Sequence, residues 1–282
     1  MRVFVTGASG HIGSLVVPEL LEARHQVVGL ARSDTSAAAL AAAGAEVHRG
    51  TLDDLDSLRE AAAAADGVIH LAFIHDFSNF DDALTTDLHA VETMGAALAG
   101  SGKPFVITGH RNGEASENVV IALAERSRGV RASVVWLAPS VHGPADAHGF
   151  VPRLIGIARE QGVSAYIGDG SNRWPAVHEL DAAHLYRLVL ETAPAGSRWR
   201  GAGDEGVPFR QIAEVIGRHL NLPVVSISPE EVEAHFGFLG AIVAIDNPTS
   251  SALTQERLGW RPVHPGLIAD LDEVHYFATR SA

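Results

Sequence analysis

Residues 6–13 read TGASGHIG and set Gly7, Gly10 and Gly13 three apart, directly after the β-branched run RVFVT. Glycine at this spacing lets the backbone turn tightly and approach a ligand. A helix starting there offers free N–H groups and the positive end of its dipole. That arrangement suits an anion, a phosphate above all. Ser9, His11 and Ile12 fill the positions between the glycines and belong to the same candidate site. A second stretch, residues 107–117, reads ITGHRNGEASE. Thr108 can hydrogen-bond a carbonyl or hydroxyl oxygen. His110 can transfer a proton, because imidazole titrates near ~6.5. Arg111 would add positive charge. The competing reading is a plain polar turn, with Asn112-Gly113 chosen for positive φ.

Phe73, Ile74, Phe77 and Phe80 form an apolar, aromatic cluster downstream of the run VIHLA. Together with His142, Trp174 and His178 they outline an apolar substrate pocket with few polar anchors, or else core packing. Such a pocket fits a hydrophobic or ring-containing small molecule better than a diphosphate sugar. The fifteen histidines include no HExxH and no helical pair with a neighbouring glutamate, so no metal site is expected. Asp181 precedes an apolar-periodic stretch and is expected to cap a helix or to serve the substrate lobe.

These residues need a frame. Strands are predicted over Arg2–Thr6, Gln26–Ala31, Ala45–Arg49, Gly67–Ala72, Lys103–Thr108 and Arg131–Leu137. Several are apolar on both faces, as expected in a parallel sheet covered by helices on both sides. Helices are predicted near 12–23, 35–43, 54–65, 80–99 and 115–128. Pro18 lies inside the first, and Arg24 stands where a terminating glycine would be comfortable. The alternation predicts an α/β fold, a doubly wound parallel sheet of Rossmann type. After about residue 140 Pro and Gly become frequent, with helices near 150–161, 179–192, 208–220 and 229–239. The expected division is a dinucleotide-binding domain over 1–140 and a smaller, interleaved substrate lobe over 141–282.

Within that frame the glycine turn follows a strand, opens an amphipathic helix and lies inside a βαβ unit, the setting of a dinucleotide site. An acid at the end of the second strand would hold the ribose of NAD. Here GLARSD puts Ala31 and Arg32 at that place, with Ser33 following, and the arginine favours the 2′-phosphate of NADP; Asp34 keeps NAD open.

Composition excludes several classes. Formal net charge is −13, which repels nucleic acid and anionic membranes. The chain has no cysteine, so disulfides and thiolate chemistry are out. The sequence begins on a strand pattern without a signal-peptide pattern and holds no long apolar run, so a cytoplasmic protein without a membrane segment is expected.

TGASGHIG, RGTLDDLDSL, VIHLAF, WLAPSVHGP and GDGSNRWPAVHELDAAHL together resemble the extended short-chain dehydrogenase/reductase superfamily, of the NAD-dependent epimerase/dehydratase type, over nearly the whole chain. The resemblance implies that Thr51 and Leu52 flank an adenine and that Leu71, Ala72 and Phe73 line the cofactor. It also implies that Pro139 and Val141 pass beside a nicotinamide, that His142 faces substrate, and that two helices form a homodimer. The family's Tyr-x-x-x-Lys pair is missing: the tyrosines are Tyr166, Tyr186 and Tyr276, and the single lysine is Lys103. The expectation is an oxidoreductase, using NADP, for a small or medium apolar alcohol or ketone, with Thr108 and His110 handling the oxygen. The alternative is a dinucleotide-fold protein without redox turnover: a cofactor-sensing module, or a repurposed lyase, isomerase or cyclase.

Overall fold

The computed structural model describes residues 1–74, 79–110, 113–125 and 129–278. Their contacts divide them into two compact units. The first comprises Met1–Trp136, Ala182–Trp199 and Leu253–Trp260; the second comprises Leu137–Asp181, Arg200–Ala252 and Arg261–Ala282. Phe77, Arg111 and Asn112 lie outside the described residues.

The first unit is built on β1 (Arg2–Thr6), α1 (Gly13–Glu22), β2 (Gln26–Ala31), α2 (Asp34–Ala42), β3 (Glu46–Arg49), α3 (Leu55–Ala64), β4 (Gly67–His70), α4 (Phe80–Ala97), β5 (Pro104–Thr108), α5 (Glu114–Glu125) and β6 (Arg131–Leu137). The sheet runs β6-β5-β4-β1-β2-β3, with Ser197–Gly201 added beyond β6. Every pairing from β6 to β3 is parallel. The doubly wound expectation is thus met, and the chain reverses its winding between β1 and β4, where α/β sheets open a crevice at their carboxyl edge.

The strands are apolar on both sides because both sides are covered. Val68 of β4 joins Leu58, Val91, Met94, Phe105 and Val120 in one core with α3, α4 and α5. Its neighbour Gly67 points the opposite way, where an added Cβ would stand 3.2 Å from Leu190. Successive strand residues face opposite sides, so the helix carrying Leu190 covers the other face.

Two sequence blemishes resolve differently. α1 runs through Pro18, held by its buried residues Val16, Val17 and Leu20. Arg24 takes a left-handed φ of 63°. Its N–H donates to Leu21 O at 2.9 Å, and that of His25 to Leu20 O at 2.9 Å. This is a Schellman closure with arginine in the place that glycine prefers. β4 ends at His70, two residues short of the expected Ala72. The Leu71 amide still donates to Thr6 O, but that of Ala72 turns to the Thr6 side chain.

The second unit carries β7 (Ser140–His142), α6 (Phe150–Gln161), β8 (Ser164–Ile167), β9 (Arg173–His178), α7 (Glu179–Thr192, whose later turns belong to the first unit), β10 (Ser197–Gly201, shared likewise), β11 (Asp204–Pro208), α8 (Phe209–Leu220) and β12 (Val224–Ile227). β7, β9 and β11 make a three-stranded sheet, and β8 pairs with β12. Leu154, Ile155, Trp174, Phe209, Ile212 and Ile216 fill its core. Among the described residues no helix is long and apolar enough to cross a membrane.

Candidate functional site

The glycine turn closes on the end of β4. Gly7 has φ +67°, and a Cβ there would stand 2.6 Å from Ala72 N. A Cβ on Gly13 would overlap the Gly7 carbonyl oxygen. These two glycines are demanded by the turn itself. Gly10 differs: it is exposed, and its added Cβ would meet only Gly7 O, at 3.2 Å. α1 starts at Gly13 behind Ile12 with no side-chain cap among the described residues, so its dipole end stands open behind the turn. A dinucleotide's phosphates fit such a cradle, because Gly10 presents bare, exposed backbone and the helix end offers N–H groups. Leu71 and Ala72 border it through the contact with Gly7.

Beyond the cradle, the carboxyl ends of β1, β4 and β5 share a buried polar chain. Thr6 and His70 are buried, with Thr6 Oγ1 2.6 Å from His70 Nδ1. His70 Nε2 is 3.1 Å from Asp87 Oδ1. A carboxylate only accepts, so Nε2 donates, and in the neutral ring Nδ1 accepts from the Thr6 hydroxyl. Ser116 donates to the other oxygen of Asp87 at 2.6 Å. His110 Nε2 lies 4.0 Å from that same oxygen, within ion-pair range but beyond a hydrogen bond. Burial pushes the Asp87 carboxyl up, but His110, His70 and Ser116 outweigh it and hold it well below the ordinary carboxylate range.

His110 sits between this anion and the outside. Its side chain is 29% exposed, yet Nε2 is buried and, among the described residues, has no hydrogen-bond partner. Its ring packs on Phe73 at 4.7 Å between centroids, and Phe73 packs on Phe80 at 5.9 Å. Gly113 allows this, since a Cβ there would stand 2.6 Å from His110 Nε2.

Thr108, at the end of β5, meets a residue that the sequence set aside. Its Oγ1 is 2.7 Å from the Tyr186 hydroxyl and 3.4 Å from His70 O. Tyr186 is fully buried, and burial pushes its phenol far up despite the bond to Thr108. It therefore keeps its proton, and with the Thr108 hydroxyl donating to His70 O the Tyr186 hydroxyl is the donor to Thr108 Oγ1. Lys103 stands at the other end of β5 and donates to Ala65 O at 2.6 Å.

The cofactor-edge residues sort by strand. Arg32 and Ser33 follow β2 and are exposed; Ser33 caps α2 by accepting from Ser36 N. Thr51 is exposed, whereas Leu52 is buried in the core. Pro139 and Val141 fall in the second unit, the latter on β7. The structure therefore brings Gly7, Leu71, Ala72, Phe73, Thr108 and His110 to one sheet edge of the first unit.

In the second unit, two expectations need correcting. Trp174 is not a pocket edge: it is 2% exposed and packed among Phe150 and Phe209. Large rings on α6 and α8 surround it because β9 is covered on that side. Asp181 does not cap α7 but lies inside it, accepting from the amides of Val263 and His264 and pairing with the His264 ring at 2.8 Å. His142 is fully buried and bonded to Asp270 at 2.8 Å. His178 stacks on His264 at 4.7 Å, and burial, with His142 and His264 nearby, lowers its basicity. Among the described residues no group of three or more His, Asp or Glu is arranged to hold a metal ion.

Sequence reasoning missed Asp87, Ser116 and Tyr186. Asp87 had a signal: it occupies the apolar face of α4 with Ala83, Ala90 and Met94.

Known proteins match along the same lines. The profile of the NAD dependent epimerase/dehydratase family matches residues 3–105. An uncharacterized protein of Schizosaccharomyces pombe is 48% identical over 296 aligned positions, covering 98% of this chain and 100% of its own length. That alignment is longer than the 282-residue chain, so the relative carries residues that this chain lacks. The 2-alkyl-3-oxoalkanoate reductase of Stenotrophomonas maltophilia is 26% identical over 80% of this chain and 77% of its own. The dTDP-glucose 4,6-dehydratase DesIV of Streptomyces venezuelae, solved with NAD bound, shares the fold with a TM-score of 0.76 at 18% identity, over 98% of this chain and 97% of its own. With a relative so close along the full length, and the profile covering the strands that build the cradle, the chain belongs to the NAD dependent epimerase/dehydratase family.

Proposed function

We propose that the protein is an NADP-dependent oxidoreductase acting on a small or medium, rather apolar ketone or alcohol. The observation that carries this reading is the meeting of the open glycine cradle with Ala72, one residue from the Phe73–His110 stack. A dinucleotide on the cradle would direct its reactive ring toward that edge. When bound, the nicotinamide supplies a hydride donor or acceptor.

The chain's own residues would then manage the oxygen. Thr108, fed by the Tyr186 proton, is a hydrogen-bond donor toward a carbonyl oxygen. His110, backed by the buried Asp87 carboxylate, delivers a proton to that oxygen or takes one from an alcohol. Phe73 and Phe80 offer an apolar wall, which suits an apolar substrate better than a sugar diphosphate. The similarity to a reductase of alkyl-oxoalkanoates agrees with an apolar ketone. Arg32 supports NADP: it follows β2, is exposed, and among the described residues makes no hydrogen bond or ion pair.

The missing Tyr-x-x-x-Lys keeps a second reading alive, binding without turnover, because Lys103 is committed to Ala65 O far from the cradle. The test is a fluorescence titration with NADPH and NADH, then a panel of alkyl and aryl ketones. Tight NADPH binding with consumption that falls at least tenfold in His110→Gln supports the first reading. Binding without consumption across the panel supports the second. No binding of either nucleotide overturns both.

A further inference from the structure

The proposed 2′-phosphate site has more to it than Arg32. β2 and β3 run parallel with Ala31 opposite Arg49, so Arg49 stands beside the last residue of β2 at the carboxyl edge of the sheet. Its guanidinium reaches back over the β2–α2 turn. Nη1 donates to Ser33 O at 2.6 Å, and Nη2 donates to Asp34 Oδ1 at 2.7 Å. The head is therefore anchored by a backbone carbonyl on one arm and by a side chain on the other. The two anchors differ in how easily they are exchanged. Ser33 is fixed as the cap of α2, bonded to Ser36 N at 3.1 Å. Asp34 is fully exposed, and its partner's side chain is half-exposed. An exposed ion pair of this kind holds weakly.

We infer that Arg49 is the second arm of the 2′-phosphate site, held on Asp34 until a phosphorylated ribose displaces that carboxylate. The inference rests on the NADP reading above. A phosphate monoester carries a charge of about −1.5 to −2 at neutral pH, more than the single charge of Asp34. It also accepts a guanidinium fork, so Arg49 keeps Ser33 O with one nitrogen and turns the other to phosphate. Arg32, one residue past the strand, closes on the same phosphate from the β2 side. Asp34 has two effects in this arrangement. It competes with the phosphate for Arg49. It is also itself engaged, so it is a poor partner for the bare ribose hydroxyl of NAD.

Calorimetric titration with 2′,5′-ADP and with 5′-ADP reads this without any nicotinamide or turnover. In the unmodified protein 2′,5′-ADP binds more tightly. Arg49→Ala weakens 2′,5′-ADP about tenfold and 5′-ADP less than about twofold. Asp34→Asn, which leaves Arg49 on Ser33 O, tightens 2′,5′-ADP severalfold. An Arg49→Ala protein that keeps the full preference, while Arg32→Ala loses it, overturns the role of Arg49 and leaves the NADP reading intact. Weakened or unchanged 2′,5′-ADP binding in Asp34→Asn also overturns it. Equal affinities in the unmodified protein overturn the inference and the NADP reading together.

Discussion

The Tyr186 hydroxyl lies 2.7 Å from Thr108 Oγ1, joining a fully buried phenol on α7 to the last residue of β5. The two partners are not equivalent. Thr108 is part-exposed and can turn to water; Tyr186 cannot. Tyr186→Phe therefore loses one ordinary hydrogen bond, about 0.5–1.5 kcal/mol. Thr108→Val strands the buried hydroxyl and costs about 1–3 kcal/mol. Chemical denaturation of both variants checks the order, and a Tyr186→Phe protein less stable than Thr108→Val would contradict it. If Thr108 donates to substrate, Tyr186→Phe also lowers kcat more than it changes KM.

Asp87 gives a pH dependence with a definite sign. Its folded pKa is depressed, so it adds stability above the unfolded carboxylate value, ~3.9, and that stability is lost as pH falls. Ser116→Ala removes a donor at 2.6 Å and brings the folded value upward. The variant should lose about 1–3 kcal/mol at neutral pH, and the difference from the unmodified protein should shrink at the acid end, as pH falls through the variant's raised folded value while the unmodified carboxylate is still ionised. Urea unfolding from pH 2 to 7 measures it. A constant difference at every pH would mean that the serine acts only through packing.

The alternating apolar strands, the glycine turn and the order of helices were legible because each is local: spacing and flanking residues carry the signal. Arg24 was legible in the same way, as a residue misplaced at a helix end. The partners of the candidate oxygen-handling residues were not. Tyr186 is 78 residues from Thr108 and Ser116 is 29 from Asp87; nothing in either neighbourhood names the other. Arg49 was hidden for a similar reason, since its place opposite Ala31 depends on strand order and register. Trp174 shows the reverse case: an aromatic near a proposed site reads the same in sequence whether it lines a pocket or fills a core.

Arg24 offers a gain in stability. It holds φ 63° as the residue after the α1 C-cap, a conformation that costs a non-glycine residue about 1–2 kcal/mol. Arg24→Gly removes that strain, while the freer unfolded chain returns about 0.4–1 kcal/mol. The net should be a stabilisation of about 0.5–1 kcal/mol, visible as a raised Tm. A lowered Tm would show that the arginine side chain contributes more than its backbone costs.

The three cradle glycines should separate folding from binding. A methyl on Gly7 meets the Ala72 backbone at 2.6 Å, and one on Gly13 overlaps the Gly7 carbonyl. Neither obstacle is a flexible side chain, so Gly7→Ala and Gly13→Ala must move strand or helix, at a cost of about 1–3 kcal/mol or more. Gly7→Ala also strains a positive φ. Gly10 is exposed, and its methyl would press only on Gly7 O at 3.2 Å, so Gly10→Ala should melt within a few degrees of the unmodified protein. The same methyl projects where a pyrophosphate must approach the backbone, so NADPH affinity should fall at least about tenfold. Thermal melts and NADPH titrations of the three variants decide it. A Gly10→Ala protein that binds NADPH undiminished would mean that the dinucleotide does not lie on this turn.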